Sequence, residues 1–176
     1  LREQVVRLRK EILGERHLDT IRASNTLANT YSNLGRLDDA LLLREQVLRL
    51  SKEILGELHP DTLSASSNLA IIYWDLGRLN DALLLQEQVL CLRKQIFGER
   101  YPDTISTSNK LALIYSELGR LDDALLLQEQ VLQLIKEILG ERHPDTITAL
   151  SNLGITLSRT KRWNQVIHLQ DEMLRL

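Results

Sequence analysis

Gly14, Gly56, Gly98 and Gly140 stand 42 residues apart, as do Asp19, Asp61, Asp103 and Asp145, and the register runs from end to end without a gap. A chain that repeats at such a period folds as a stack of like units, because one unit alone cannot bury its apolar faces. The phrase that carries the register reads LGERHLDT from Leu13, LGELHPDT from Leu55, FGERYPDT from Phe97 and LGERHPDT from Leu139. Its His, Pro and Asp could suggest a metal or acid/base site, but repetition argues otherwise. His17, His59 and His143 share one repeat position, and Tyr101 fills that position in the third unit. Stacked helices lie about 8–10 Å apart, whereas a zinc bond is about 2 Å long, so equivalent side chains cannot share an ion. The cluster reads as a helix start. Pro60, Pro102 and Pro144 suit the first helical position, and the Asp and Thr that follow can satisfy free backbone N–H groups. Leu18 takes the place of Pro in the first unit, so that start is expected to be less sharply fixed.

Each unit holds two helical patterns. In the first complete unit, helix A runs from about Thr20 to Leu34, with Leu27, Tyr31 and Leu34 on one stripe. Helix B runs from about Leu37 to Leu55, with Ala40, Leu43, Val47, Leu50 and Ile54 on its stripe. Asp38 and Asp39 fall in its first turn, where carboxylates complement the helix dipole. Gly35 and Gly56 close the two helices, and the short joint makes the pair antiparallel. The expected organisation is a single solenoid over 1–176: an orphan second helix over 1–17, complete repeats over 18–59, 60–101 and 102–143, and a shorter, divergent repeat over 144–176. The fold class is all-α, with about nine helices.

These residues resemble the tetratricopeptide repeat, which carries Leu-Gly-x2-Tyr in its first helix and a small residue early in its second. The matching residues are Leu27, Ala28, Tyr31 and Ala40; Leu69, Ala70, Tyr73 and Ala82; and Leu111, Ala112, Tyr115 and Ala124. The fourth unit departs from the pattern, with Leu153, Gly154, Leu157 and Val166. The 42-residue unit, with EILGE closing helix B and HPDT opening the next helix, is similar to the kinesin light chain type. The resemblance implies a right-handed α-solenoid of antiparallel helix pairs with helix A on its concave wall. It also implies two settings for such an array: a protein-binding scaffold, or a regulatory arm of a larger nucleotide-binding signalling protein of the STAND class.

Composition narrows the function classes. Twenty-two basic against 24 acidic residues leave a net charge of -2, which gives no footprint for nucleic acid or an anionic membrane. Apolar runs are too short to span a bilayer. A single cysteine, Cys91, forms no internal disulfide and makes the cytoplasm the expected compartment; its repeat position holds Arg or Gln elsewhere, so it belongs on a solvated face. The start lacks an initiator Met and a signal-peptide core, so the chain is expected to be cut from something longer. There is no phosphate-cradling glycine loop, nucleophile elbow or zinc-spaced Cys/His set. The chain is therefore read as no enzyme, with no catalytic residue, no cofactor and no metal.

The expected partner is a protein or peptide, held on the face of helix A opposite its core stripe. That face carries Arg22, Asn25, Asn29, Ser32 and Asn33 in the first unit, and Ser67, Asn68, Ile71, Trp74 and Asp75 in the second. In the third it carries Ser106, Asn109, Lys110, Leu113, Ser116 and Glu117, and in the fourth Asn152, Ile155 and Arg159. Asn offers both donors and an acceptor, so it can hold a peptide backbone with little regard for sequence. Ile71, Leu113, Ile155 and Trp74 supply apolar contact, and Trp74 stands out because its repeat position is Ser32, Ser116 and Ser158 elsewhere. Trp163, which replaces Leu37, Leu79 and Leu121, reads as a core substitution. Asn29, Asn68 and Lys110 occupy positions that the resemblance links to carboxylate clamps for chaperone tails. Asn25 and Ser106 take the other two basic places, and Asp75 and Glu117 discourage an acidic terminus. An internal segment, extended or partly helical and carrying an aromatic or basic residue, fits better. Self-association is a further expectation, through Val5, Leu8, Ile12 and Leu13 on the first helix B.

Overall fold

A computed structural model describes residues 1–175; Leu176, the last residue of the expected fourth repeat, lies outside them. The described residues form helices and turns without a strand. The helices are α1 (Arg2–Leu13), α2 (Leu18–Asn33), α3 (Leu37–Leu55), α4 (Pro60–Asp75), α5 (Leu79–Phe97), α6 (Pro102–Glu117), α7 (Leu121–Leu139), α8 (Pro144–Arg159) and α9 (Trp163–Arg175). They form antiparallel pairs of the tetratricopeptide kind. Above the level of the 42-residue repeats the chain divides into two compact units, the first Leu1–Leu92 and the second Arg93–Leu176, with the division inside α5. In the first, α1 packs on α2, α2 on α3 and α3 on α4; in the second, α6 packs on α7, α7 on α8 and α8 on α9.

The joint between the helices of a pair has one design. Gly35, Gly77 and Gly119 have φ of 73°, 73° and 75°, a conformation open to glycine at no steric cost. The N–H of each glycine donates to the carbonyl of Ser32, Trp74 or Ser116, and the next N–H, of Arg36, Arg78 or Arg120, donates to the carbonyl of Tyr31, Tyr73 or Tyr115. This pair of bonds is a Schellman closure. The same arginine then lays its guanidinium over the tyrosine ring, at 4.2 Å for Arg36 and 4.4 Å for Arg78 and Arg120. Its Nε donates to Asp39, Asp81 or Asp123 at 2.7 Å, so ring, cation and first-turn carboxylate lock the angle between the two helices. In the fourth unit Leu157 takes the ring's place, Lys161 takes the glycine's at φ 59°, and Arg162 bonds Asp122 at 2.6 Å instead.

Pro60, Pro102 and Pro144 open their helices as expected, but the cap comes from a different residue than the Asp and Thr that follow. The histidine caps helix A: Nδ1 of His17, His59 and His143 accepts from the backbone N–H of Asp19, Asp61 and Asp145 at 3.2, 3.1 and 3.2 Å. Tyr101 has no cap bond and stacks on Phe97 with ring centroids 4.9 Å apart. The third unit therefore exchanges a Leu/His combination for Phe/Tyr, and the capping bond for aromatic contact.

Small residues set the approach of the paired helices. Ala28, Ala40, Ala70, Ala82, Ala112 and Ala124 are buried to 1% exposure or less. At Gly154, a Cβ would come within 3.1 Å of Leu169 Cδ2, so that glycine makes room for the leucine of α9. The core of the second unit gathers Leu125, Val131, Ile135, Leu150, Leu153, Leu157, Val166 and Leu169; in the first, Ile21, Val47, Leu50 and Ala65 cluster. Two expectations for the core fail. Leu34 is 67% exposed, because α2 ends at Asn33 and leaves it at the cap. Trp163 is 57% exposed: its repeat position is only half-buried even when it holds Leu37, Leu79 or Leu121, and an indole there cannot be covered.

Candidate functional site

In the first unit the helix A residues meet an internal cation. Arg44 is 4% exposed, and its guanidinium donates to the side-chain carbonyls of Asn25 and Asn29 on α2. Its buried Nε has no hydrogen-bond partner among the described residues. Burial alone pushes its pKa down to about 10, with no carboxylate acting on it. The acceptors expected to hold a peptide backbone at Asn25 and Asn29 are thus each engaged once from within, which leaves their N–H2 groups and one lone pair apiece for a partner. Arg44 lies on the buried stripe between Ala40 and Val47, at the repeat position of Gln86 and Gln128. Gln86 makes the corresponding tie in α4 and α5, accepting from Ser67 Oγ at 3.2 Å. That bond places Ser67 inside the packing, at 3% exposure, and corrects its expected position on the open face. Asn33 is exposed, and Asn68, Ile71 and Trp74 are half-buried along α4. Ser32 donates to Asp75 across the two A helices at 3.5 Å.

In the second unit Ser116 is likewise buried, at 5% exposure, and accepts from Arg159 at 2.6 Å. Lys110 and Leu113 are half-buried, and Ile155 is 61% exposed. Burial, with the neighbouring positive charge of Arg93, holds the Lys110 ammonium below its ordinary pKa, while Asp103 opposes the shift. Arg93 is 5% exposed and donates to the Asp103 carbonyl at 2.7 Å and to Thr107 at 3.1 Å.

Two of the expected residues come together here. Asn109 of α6 and Asn152 of α8 line a cleft of about 540 Å³. Its apolar floor is Ile105 of α6 with Ile135, Ile138 and Leu139 from the end of α7, and its rim carries Arg100, His143 and Asp145. Arg100 is paired with Glu137 at 2.9 Å. The first unit has a cleft in the same register, lined by Ile21, Arg22, Asn25, Ser51, Leu55 and Ala65 among others, but of only about 110 Å³. Arg22 lines the wall where the second unit has Ser106, and Ser51 stands at the floor position of Ile135.

The tetratricopeptide repeat profile matches residues 24–95, 61–137 and 103–176, nearly the whole chain. The chain belongs to the tetratricopeptide repeat family. This tetratricopeptide array is similar to the crystal structure of a Podosopora anserina protein described as a kinesin light chain with nearly identical TPR-like repeats. The two share 25% identity at a TM-score of 0.83, over 97% of this chain and 81% of that one. It also shares its fold with BtubC (BKLC) from P. vanneervenii, at 23% identity and a TM-score of 0.86 over 98% and 70% of the two chains. RapI has the same fold at 13% identity and a TM-score of 0.81, over 97% and 61%. No curated protein sequence matches the chain. A tetratricopeptide solenoid is a fold typical of non-catalytic scaffolds. Among the described residues no three or more His, Cys, Asp or Glu side chains gather as metal ligands, and no helix is long and apolar enough to cross a membrane.

Proposed function

We propose that this tetratricopeptide array is a non-catalytic scaffold that binds a peptide segment of a partner protein on the open faces of its A helices, as a kinesin-light-chain-like module. The observation that carries this reading is the cleft of the second unit, where the amides of Asn109 and Asn152 stand beside an isoleucine floor. Concave, largely apolar sites with a few convergent polar groups are typical of binding sites, and Asn amides suit a peptide backbone. Asn68, Ile71 and Trp74 on α4 form the corresponding contact face of the first unit, with the N–H2 groups of Asn25 and Asn29. Asn33, Lys110, Leu113, Ile155 and Arg159 border these faces.

A peptide-array screen with the whole chain tests the reading. Reproducible capture of a set of related segments, weakened by Asn152→Ala or Trp74→Ala, supports it; capture of none, or capture unchanged in both variants, removes it.

A second reading is self-association, favoured by the apolar row on α1, where Val5, Leu8, Ile12 and Leu13 are 40, 50, 76 and 43% exposed. Sedimentation of a concentration series decides it: a monomer at every concentration rules it out.

A further inference from the structure

The cleft of the second unit has a chemistry specific enough to name the segment it takes. Three features set it. At about 540 Å³ it lies within the range of roughly 300–1,000 Å³ that accommodates a ligand-sized group, which is more than one side chain fills. Its floor is branched and aliphatic, from Ile105, Ile135 and Ile138. Its rim is unequal in charge. The Arg100 guanidinium is neutralised by Glu137 at 2.9 Å, while among the described residues the exposed Asp145 carboxylate has no Lys or Arg partner. His143, 3.7 Å from that carboxylate, already uses Nδ1 to accept the Asp145 N–H.

Resting on the peptide-binding reading, we propose that this cleft takes an extended segment with two uncharged apolar side chains two residues apart, preceded by a lysine or arginine that meets Asp145. In an extended chain, residues i and i+2 point the same way, about 6.6–6.8 Å apart, so both enter one elongated hollow. The residue between them faces outward. Asn109 and Asn152 both line the cleft, and among the described residues neither side chain has a hydrogen-bond partner, so their donors and acceptors can meet the segment's own N–H and C=O groups. An acidic residue in the basic position is opposed by Asp145. The first unit cannot take the same segment, because Arg22 and Ser51 stand where Ser106 and Ile135 open the second cleft and line its floor.

Methyl NMR of the whole chain, labelled at the isoleucine δ1 positions, tests this with three probes. They are acetyl-Lys-Gly-Leu-Ser-Leu-amide, the same peptide with Glu for Lys, and the Lys peptide with both leucines changed to Ser. The Lys-Leu-Leu probe should shift the Ile105, Ile135 and Ile138 methyls saturably. The Glu peptide should bind about fivefold more weakly, the scale of a single exposed charge pair, and the triple-Ser peptide should leave the methyls in place. Asp145→Asn should erase the Lys/Glu difference. Ile138→Glu should weaken the first probe by more than about tenfold, and since Ile138 is 42% exposed the change leaves the core intact. Equal binding of the Lys and Glu peptides overturns the basic position, and absent cleft shifts overturn the proposal. If shifts instead gather at Ile71 or Ile155, this assignment fails while the peptide-binding reading stands, since that reading is tested separately by the array.

Discussion

The Arg44 guanidinium donates to the side-chain carbonyl of Asn25 from a buried position that no Asp or Glu reaches among the described residues. A buried cation satisfied only by neutral acceptors carries an uncompensated desolvation cost of several kcal/mol before its hydrogen bonds are counted. Gln86 and Gln128 hold the same repeat position without that charge. Arg44→Gln is therefore expected to raise stability by about 1–2 kcal/mol, measured by urea unfolding. The sign with pH follows from the depressed pKa. The folded state holds this proton less tightly than the unfolded state, so the penalty is fully present below about pH 10 and is relieved only as pH climbs above that value. The gain from Arg44→Gln should stay constant between about pH 6 and 9. A destabilised variant, or a gain that varies across this window, would contradict the assignment.

Lys161 sits at φ 59° where the other units have Gly35, Gly77 and Gly119. A side chain in the left-handed region costs about 1–2 kcal/mol, partly offset by the greater freedom of glycine in the unfolded chain. Lys161→Gly should stabilise the protein by about 0.5–1 kcal/mol, seen as a higher midpoint in thermal unfolding. Lys161→Val, which tolerates this conformation badly, should lower it.

Phe97 and Tyr101 replace the leucine and capping histidine of the neighbouring units. Phe97→Leu leaves Tyr101 with neither stack nor cap, and should cost about 0.5–1.5 kcal/mol. Adding Tyr101→His to that variant brings back the Nδ1 cap, worth about 1 kcal/mol. A double-mutant cycle should therefore show the pair recovering most of what the single change loses. Additive losses would mean that the two residues do not act together.

What could be read from the sequence divides along physical lines. The joints were legible because each needs a particular residue type at a fixed offset: a glycine for positive φ, a proline for a helix start, a small residue where helices touch. The capping role of His59 was not separable from that of Asp61, since both precede or open the helix and only geometry selects the acceptor. Asn109 and Asn152 were legible as one face of helix A, because helical period sets that face. The floor beneath them was not, because Ile135, Ile138 and Leu139 come from the end of α7, between α6 and α8, and join Asn109 and Asn152 only through packing. Arg44 was missed for another reason. It interrupts the buried stripe of Ala40 and Val47, and a charge in such a place signals a partner across the pair without naming it.

The central claim is that the amides of Asn109 and Asn152 hold a bound peptide in the second unit. Titration calorimetry of an array-selected peptide against the whole chain and the Asn109→Ala/Asn152→Ala variant tests it most directly. Loss of two backbone-directed hydrogen bonds should weaken binding by about 10- to 100-fold, with the thermal midpoint of the variant close to that of the parent. Equal Kd values for the two proteins would contradict the account.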